Sequence, residues 1–374
     1  MAKAITDEQL ITRIRGEITD SLGYMGDTIS QQREQAMEYY YGLPFGNEVA
    51  GRSQYVDSTV QDTIEWIKPS LMRVFASGDE MVKFNPHGPE DVEMAKQATD
   101  YVNYVFTKDN PGWEIMYSWF TDALLSKNGI VKVWWDETDE SEREEYKNLT
   151  EDELAVLISS PEVEVIEHSP PGEYDETTYG DVSLTGHHVV IKRTNYNGRI
   201  KIENVPPSEF LISRESKDIQ EARFVCHRVQ KTLSELREMY PDEDLDPDSL
   251  GGSDADLATF SSERLERYAF DKSARYWEGW GGEEYGEDGL RLYWLHESFL
   301  KTDYDGDGIT ELRKVCSVGS TILANEEIDR IPFVSITPVK IPHKFYGLSL
   351  ADLVMDLQLM RSTLMRNLMD NMYN

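Results

Sequence analysis

Only two cysteines occur in this chain of 374 residues, Cys226 and Cys316. Each sits in a strand-like apolar run, so neither a disulfide framework nor a zinc-ligand spacing can be drawn. Two buried free thiols and a reducing place of synthesis are expected. Basic residues are scarce too: 37 Lys and Arg face 70 Asp and Glu, a net charge of −33. A surface that grips nucleic acid neutralises phosphates with clustered cations, and this balance argues against one. It leaves room for a wall past which nucleic acid slides without sticking. No apolar run approaches the ~18 residues that suggest a membrane span. The opening MAKAITDEQLITRIRGE has no apolar core of a signal peptide.

The usual marks of catalysis are missing as well. There is no GxxxxGK[ST] phosphate loop, no G-x-S-x-G elbow and no H-E-x-x-H helix. Gly281-Gly282 lies in a Trp-rich loop rather than between a strand and a helix. His187 and His188 head a strand and point to opposite faces, so they cannot easily share a metal. His168, His227 and His296 read as single strand histidines of core or surface. With so many carboxylates, pairs of acids carry no weight as general acid–base candidates. An enzyme is not expected.

What is present is a globular composition, 39% hydrophobic and 11% aromatic, in a chain long enough for two or three domains. The periodicity predicts an α+β fold with a helical N-terminal part, a β-rich middle with hairpins and a long C-terminal helix. Residues 1–128 read as mainly helical. A capping box at Thr6 and Gln9 precedes Ile11, Ile14, Ile18, Leu22, Met25 and Ile29, while Gly16, Gly23 and Gly26 weaken or break that helix. A second helix starts near Asp57 with a kink expected at Pro69, a third follows Pro89, and a fourth runs from Pro111 to Asn128-Gly129.

Residues 129–340 then switch to strand periodicity. Strands are predicted at 129–135, 162–168, 187–194, 199–205, 222–229, 290–300, 309–316 and 332–337, with Asn197-Gly198 as a hairpin turn between two of them. Acidic stretches at 136–153 and 241–289 read as solvated insertions, the first partly helical. Residues 341–374 hold one strong helix. Leu350, Leu353, Val354, Leu357, Met360, Leu364, Leu368 and Met372 form one apolar stripe, and Met355, Leu359, Met365 and Met369 a second. A helix apolar on two sides packs between neighbours, in its own chain or in adjacent subunits. Its periodicity is still running at Asn374, which suggests a longer polypeptide.

One local motif is specific: D-Y-D-G-D-G-I-T-E-L at residues 303–312. Asp303, Asp305, Asp307 and Gly308 match the first half of a helix–loop–helix calcium site. Lys314 stands where that site needs a bidentate glutamate, and both flanks read as strands, so an EF-hand is rejected. A hairpin Ca2+ clip remains open, with the three aspartates, the Ile309 carbonyl and Glu311 as oxygen donors. The alternative is a tight turn in which Gly306 and Gly308 supply positive φ and the aspartates are solvated.

Three stretches together resemble the portal, or head-to-tail connector, proteins of short-tailed double-stranded DNA phages: residues 52–86, the D-x-D-G-D-G-I-x-E-L-R hairpin at 303–313, and 341–371. The resemblance implies that residues up to about 340 form the wing and that the helix from Gly347 is the first stem helix, its apolar stripe packing between subunits. It implies a non-enzymatic ring of about twelve copies at one capsid vertex in the virion. Synthesis would be in the host bacterial cytoplasm, with no membrane partner. The ring would pass DNA in packaging and ejection and meet the major capsid protein, scaffold, terminase and tail adaptor, the last two through regions that follow residue 374. No cofactor beyond the Ca2+ option is expected. The rival reading is a calcium-stabilised, adhesin-like β module.

Overall fold

The computed structural model describes residues 5–76, 78, 80–136, 140–160, 163–170, 186–195, 198–241, 245 and 292–373. By Cα proximity the chain separates into two units, Met1–Val133 with Ile202–Asn374, and Trp134–Lys201.

The first unit is built on a five-stranded antiparallel sheet, in the order β10-β9-β8-β7-β6. Its strands are β6 (Phe210–Ile212), β7 (Phe224–Thr232), β8 (Leu292–Thr302), β9 (Glu311–Val318) and β10 (Thr321–Glu327). Strand residues alternate between faces, so a sheet covered on both sides needs apolar residues at successive positions. Phe210-Leu211-Ile212 and Phe224-Val225-Cys226 meet that need, all of them buried. One face, through Leu211, Phe224, Cys226, Leu300 and Val315, packs against Leu10, Ile14, Ile18 and Met25 of the N-terminal helix. The other, through Phe210, Ile212, Val225 and Phe299, packs against Ile130, Val205 and Phe333. Those residues belong to a three-stranded sheet, β11-β1-β5, formed by β1 (Gly129–Asp136), β5 (Arg199–Val205) and β11 (Phe333–Ile336).

The N-terminal helix is longer than its glycines suggest. α1 (Asp7–Tyr24) starts at Thr6, whose N–H donates to Gln9 Oε1 at 3.3 Å. It passes through a π-helical turn, Met25–Ile29, straight into α2 (Ser30–Tyr41). Gly16 and Gly23 therefore do not break it; both lie where nothing approaches within 4 Å. The π turn absorbs Gly26, and the helix ends only at Gly42, in the left-handed region at φ 64°.

A helical layer completes the unit. α3 (Thr59–Phe75) runs through Pro69, α4 (Val92–Tyr104) follows a 3-10 turn at Pro89, and α5 (Gly112–Ser126) leads into β1. At that junction Gly129 is required, because a Cβ there would overlap the Trp119 carbonyl. α2, α3 and α5 share a core, Ala36, Met37, Val60, Ile64, Leu124 and Leu125, with the start of the C-terminal helix.

The second unit holds β2 (Glu140–Leu149), α6 (Glu151–Ile158), β3 (Val163–Ser169) and β4 (His187–Asn195), in the sheet order β2-β4-β3. Two expectations change here. Residues 140–149 were expected in a solvated insertion, yet they form a strand. β4 and β5 were expected to be hairpin partners, yet they lie in different sheets; Asn197 itself is outside the described residues. So is nearly all of the 241–289 insertion, apart from Pro241 and Leu245. A short helix, α7 (Leu233–Met239), follows β7 behind a capping box of Thr232 and Glu235.

The two sheets of the first unit are joined by a partly buried charge cluster. Lys132 of β1 pairs with Glu297 of β8, which also lies 3.6 Å from Lys314 Nζ and 3.7 Å from His227 Nδ1. His227 reaches Glu209 on its other side, at 3.8 Å. Burial alone would raise the Glu297 carboxyl, but His227, Lys132 and Lys314 outweigh it and hold the group at about 2. A carboxylate lowered in the folded state contributes stability above its unfolded value, near 4.5, and loses it as pH falls toward 2. Acid titration of stability should therefore fall between these limits, and Glu297→Gln should flatten that part of the curve. An unchanged slope in the variant would show that Glu297 does not supply it.

Candidate functional site: the C-terminal helix and the aspartate loop

α8 (Leu350–Tyr373) begins at Ser349, whose N–H and hydroxyl donate to Asp352 Oδ2 at 2.7 and 2.8 Å, while Asp352 N–H donates back to Ser349 Oγ at 3.0 Å. This is a capping box that satisfies the first turn. The same Asp352 oxygen holds buried Lys127 at 2.6 Å, which anchors the helix start to the α5–β1 junction. Asn128 adds hydrogen bonds to Thr337 Oγ1 at 3.1 Å and to the Phe345 carbonyl at 3.3 Å. Gly347, just upstream, is a glycine because a Cβ would strike the Val339 carbonyl.

Beside its apolar contacts at Leu350, Val354, Met355 and Leu359, α8 turns a row of polar side chains toward its own chain. Gln358 accepts from Val60 N–H at 2.8 Å and donates to the Tyr39 carbonyl at 2.9 Å. Ser362 Oγ accepts from Asp57 N–H at 2.9 Å, and Asp370 accepts from Ser53 N–H at 2.8 Å. Arg366 donates to the Tyr55 carbonyl at 2.7 Å, to Asn47 Oδ1 at 2.7 Å and to Glu48 Oε1 at 2.6 Å. Gln358, Ser362 and Arg366 are all buried. Together they pair the Tyr55 carbonyl and Asp57 N–H of the irregular segment 47–58 and the unpaired Val60 N–H of the first turn of α3. The stretches 52–75 and 341–371, far apart in sequence, thus form one interface.

The predicted stripe splits accordingly. Leu350 and Val354 pack on the core shared with α2, α3 and α5, as do Met355 and Leu359 of the second stripe. Leu353, Leu357, Met360, Leu364, Leu368 and Met372 are exposed, from 46% at Leu357 to 77% at Met372. Met369 accepts a hydrogen bond from Ser53 Oγ at 3.3 Å, and Met365 stays exposed. The 46% and above matter because side chains of this size are worth roughly 1.5–3 kcal/mol each when fully buried. Six of them on one helix face form an apolar strip that a second surface can cover.

The aspartate loop joins β8 to β9, as its flanks suggested. Asp303 accepts from Gly306 and Gly308 N–H at 2.8 and 3.0 Å, Asp305 from Asp307 N–H at 3.0 Å, and Asp307 from Ile309 N–H at 2.6 Å. Gly306 and Gly308 take φ of 81° and 93°, as the turn reading requires. The three carboxylates bring ligand oxygens within 4.8 Å of one another and could hold a hard cation. Glu311 lies instead on Arg313, at 2.9 Å, and the Ile309 side chain is exposed. Arg313 sits over the Tyr304 ring at 4.2 Å, and the Tyr304 carbonyl accepts from Ile5 N–H, so the loop braces the start of the N-terminal helix.

The remaining histidines and cysteines are placed as follows. Cys226 and Cys316 are buried free thiols, and burial pushes Cys226 up to about 12. His188 lies 2.8 Å from Glu145 and His227 belongs to the Glu297 cluster, while His296 is buried in β8. His168 and His187, from different strands, come together, a contact that spacing alone could not reveal. Sequence reasoning also missed Gln358, Ser362 and Arg366, although polar residues interrupting a helix at spacings of four were visible.

Burial by itself would raise the Glu48 carboxyl, but its own and the Phe45 backbone N–H groups and Arg366 bring it below its ordinary value. Breaking a buried pair from one side costs about 3–5 kcal/mol. Arg366→Ala should therefore release segment 47–58, read as faster amide exchange at Ser53 and Asp57. Protection equal to the unmutated chain would remove Arg366 from that role. The turn's own backbone N–H groups hold each aspartate, so the loop keeps its shape without an ion and melting curves in Ca2+ and in chelator should superimpose. A chelator-sensitive melting temperature, lost in Asp305→Ala, would instead assign a cation to the loop.

A family model described as the phage SU10 portal protein matches residues 10–374. No curated protein matches the chain in sequence. Among the described residues, no helix is long and apolar enough to cross a membrane. The match spans almost the whole chain, from the N-terminal helix through the three sheets and the aspartate loop to the end of α8, and the chain belongs to the phage portal protein family.

Proposed function

We propose that this chain is one subunit of a homo-oligomeric ring, about twelve copies, at a single capsid vertex of the virion. The ring serves as a passive conduit for double-stranded DNA in packaging and ejection and as the platform for tail attachment. The observation that carries this reading is the exposed apolar strip of α8 on a helix whose opposite face is already committed to its own chain. A closed ring repeats a heterologous contact, so each subunit must offer one surface to a different surface of its neighbour. Covering Leu353, Leu357, Met360, Leu364, Leu368 and Met372 would contribute on the order of 10 kcal/mol before the entropy of association is subtracted.

The electrostatics support a conduit rather than a clamp. With a net charge of −33, repeated in every subunit, the assembly has few cations to neutralise phosphates. DNA held that loosely can move, and an external motor can drive it. The chain's role is structural, without catalysis of its own, and the major capsid protein, scaffold, terminase and tail adaptor are its proposed partners.

Leu357→Asp and Leu364→Asp place a charge in the strip without touching the polar contacts beneath. Native mass spectrometry should show the ring for the unmutated chain and loss of most ring for either variant, while far-UV circular dichroism stays the same. Variants that assemble fully would remove the strip from the interface. Variants that unfold would show that these leucines serve the subunit's own fold.

A further inference from the structure

The outer side of α3 carries the most exposed large apolar side chain among the described residues, Trp66, at 83%. Helical spacing explains its position. With about 3.6 residues per turn, Trp66 lies about 200° round the helix from Ile64, which is fully buried in the core shared with α2, α5 and α8. The chain's own α8 docks on that inner side, where Gln358 meets Val60 and Arg361 meets Thr59. Ser70 and Val74 continue the outer row at spacings of four, and both are exposed. α8 repeats the pattern. Met360 and Leu364 stand two residues beyond the buried Gln358 and Ser362, again about 200° away. The α8 strip and the Trp66 row therefore look in opposite directions from the contact between α3 and α8.

We propose that the outer face of α3, with Trp66 at its centre, receives the α8 strip of the next copy of this chain. In the ring proposed above, on which this assignment rests, one surface of each subunit meets a different surface of its neighbour. A contact repeated in one sense round a ring needs its two faces on opposite sides of the subunit. The strip and the Trp66 row meet that requirement. Their chemistry matches as well, because both are apolar and tryptophan is among the residues that most often anchor an interface. Trp66, Ser70 and Val74 form a ridge at spacings of four, as do Met360, Leu364 and Leu368. The small Ser70 leaves a notch between two larger side chains that a leucine of the facing ridge can fill. At the rim, Asp62 stands four residues before Trp66 and Arg361 lies within the strip, both exposed and opposite in sign. Arg361 also lies 3.4 Å from Asp57 of its own chain, and a guanidinium has donors for both carboxylates.

The test pairs variants of the full chain. Trp66→Glu and, as a second change in the same row, Val74→Glu should each lose most of the ring in native mass spectrometry, with unchanged far-UV circular dichroism. Mixing then separates the two faces. Trp66→Glu keeps a sound strip and Leu364→Asp keeps a sound Trp66, so one contact can still form between them. The mixture should give heterodimers of one variant with the other, which neither gives alone, and no closed ring. Full rings from Trp66→Glu, no heterodimer in the mixture, or unfolding of both α3 variants would overturn the pairing and leave the strip as an interface with some other surface. Full rings from Leu364→Asp would instead remove the strip itself, and this pairing with it.

Discussion

The contact on which the rest of this molecule depends is the polar clasp between α8 and the segment that leads into α3. An irregular stretch such as 47–58 carries amides and carbonyls that no helix or sheet satisfies, and leaving them unpaired in a buried place is costly. Gln358, Ser362, Arg366 and Asp370, at spacings of four, supply partners from one side of a single helix. Each bond is modest in net terms, but each is expensive to lose once its surroundings are dry. The clasp therefore sets the rotation of α8 about its axis.

That rotation decides what faces outward. A helix docked only by its leucines would have hidden them; with glutamine, serine and arginine on the docked side, it leaves Leu353, Leu357, Met360, Leu364, Leu368 and Met372 uncovered. The Ser349–Asp352 box and the Lys127–Asp352 pair fix where the helix begins, and the clasp fixes its roll. α1 shows the opposite arrangement in the same chain. Leu10, Ile14, Ile18 and Met25 go straight into the sheet, and its polar side is solvated. Two amphipathic helices with similar sequence periodicity are thus docked differently, one with its apolar face buried in the core and one with an apolar strip left exposed.

Much of this was legible in the residues. The capping residue Thr6, the strand periods of β1, β3, β4, β5, β7, β8, β9 and β11, and the turn chemistry of Gly306 and Gly308 all express local rules. β2 was not, because E-S-E-R-E-E-Y-K-N-L has no apolar alternation. It is an edge strand joined only to β4, and its order comes from cross-strand register and pairs such as Arg193 with Glu144. β6 was too short to show a period, and β10, another edge strand, ends in acids. The expected breaks at Gly16, Gly23 and Gly26 failed because packing of the buried face outweighs a glycine's cost of about 1 kcal/mol.

The sequence by itself determined most element types, the acidic net charge of −33 and the periodicity of α8, since these follow from short-range sterics and composition. Only the tertiary structure decided which stripe of α8 is spent inside the chain, that residues 52–75 and 341–371 form one interface, and that His168 meets His187. The reason is the same in each case. Periodicity states which residues share a face, but the partner of that face is chosen by hydrogen bonds and packing between segments hundreds of residues or a whole strand apart.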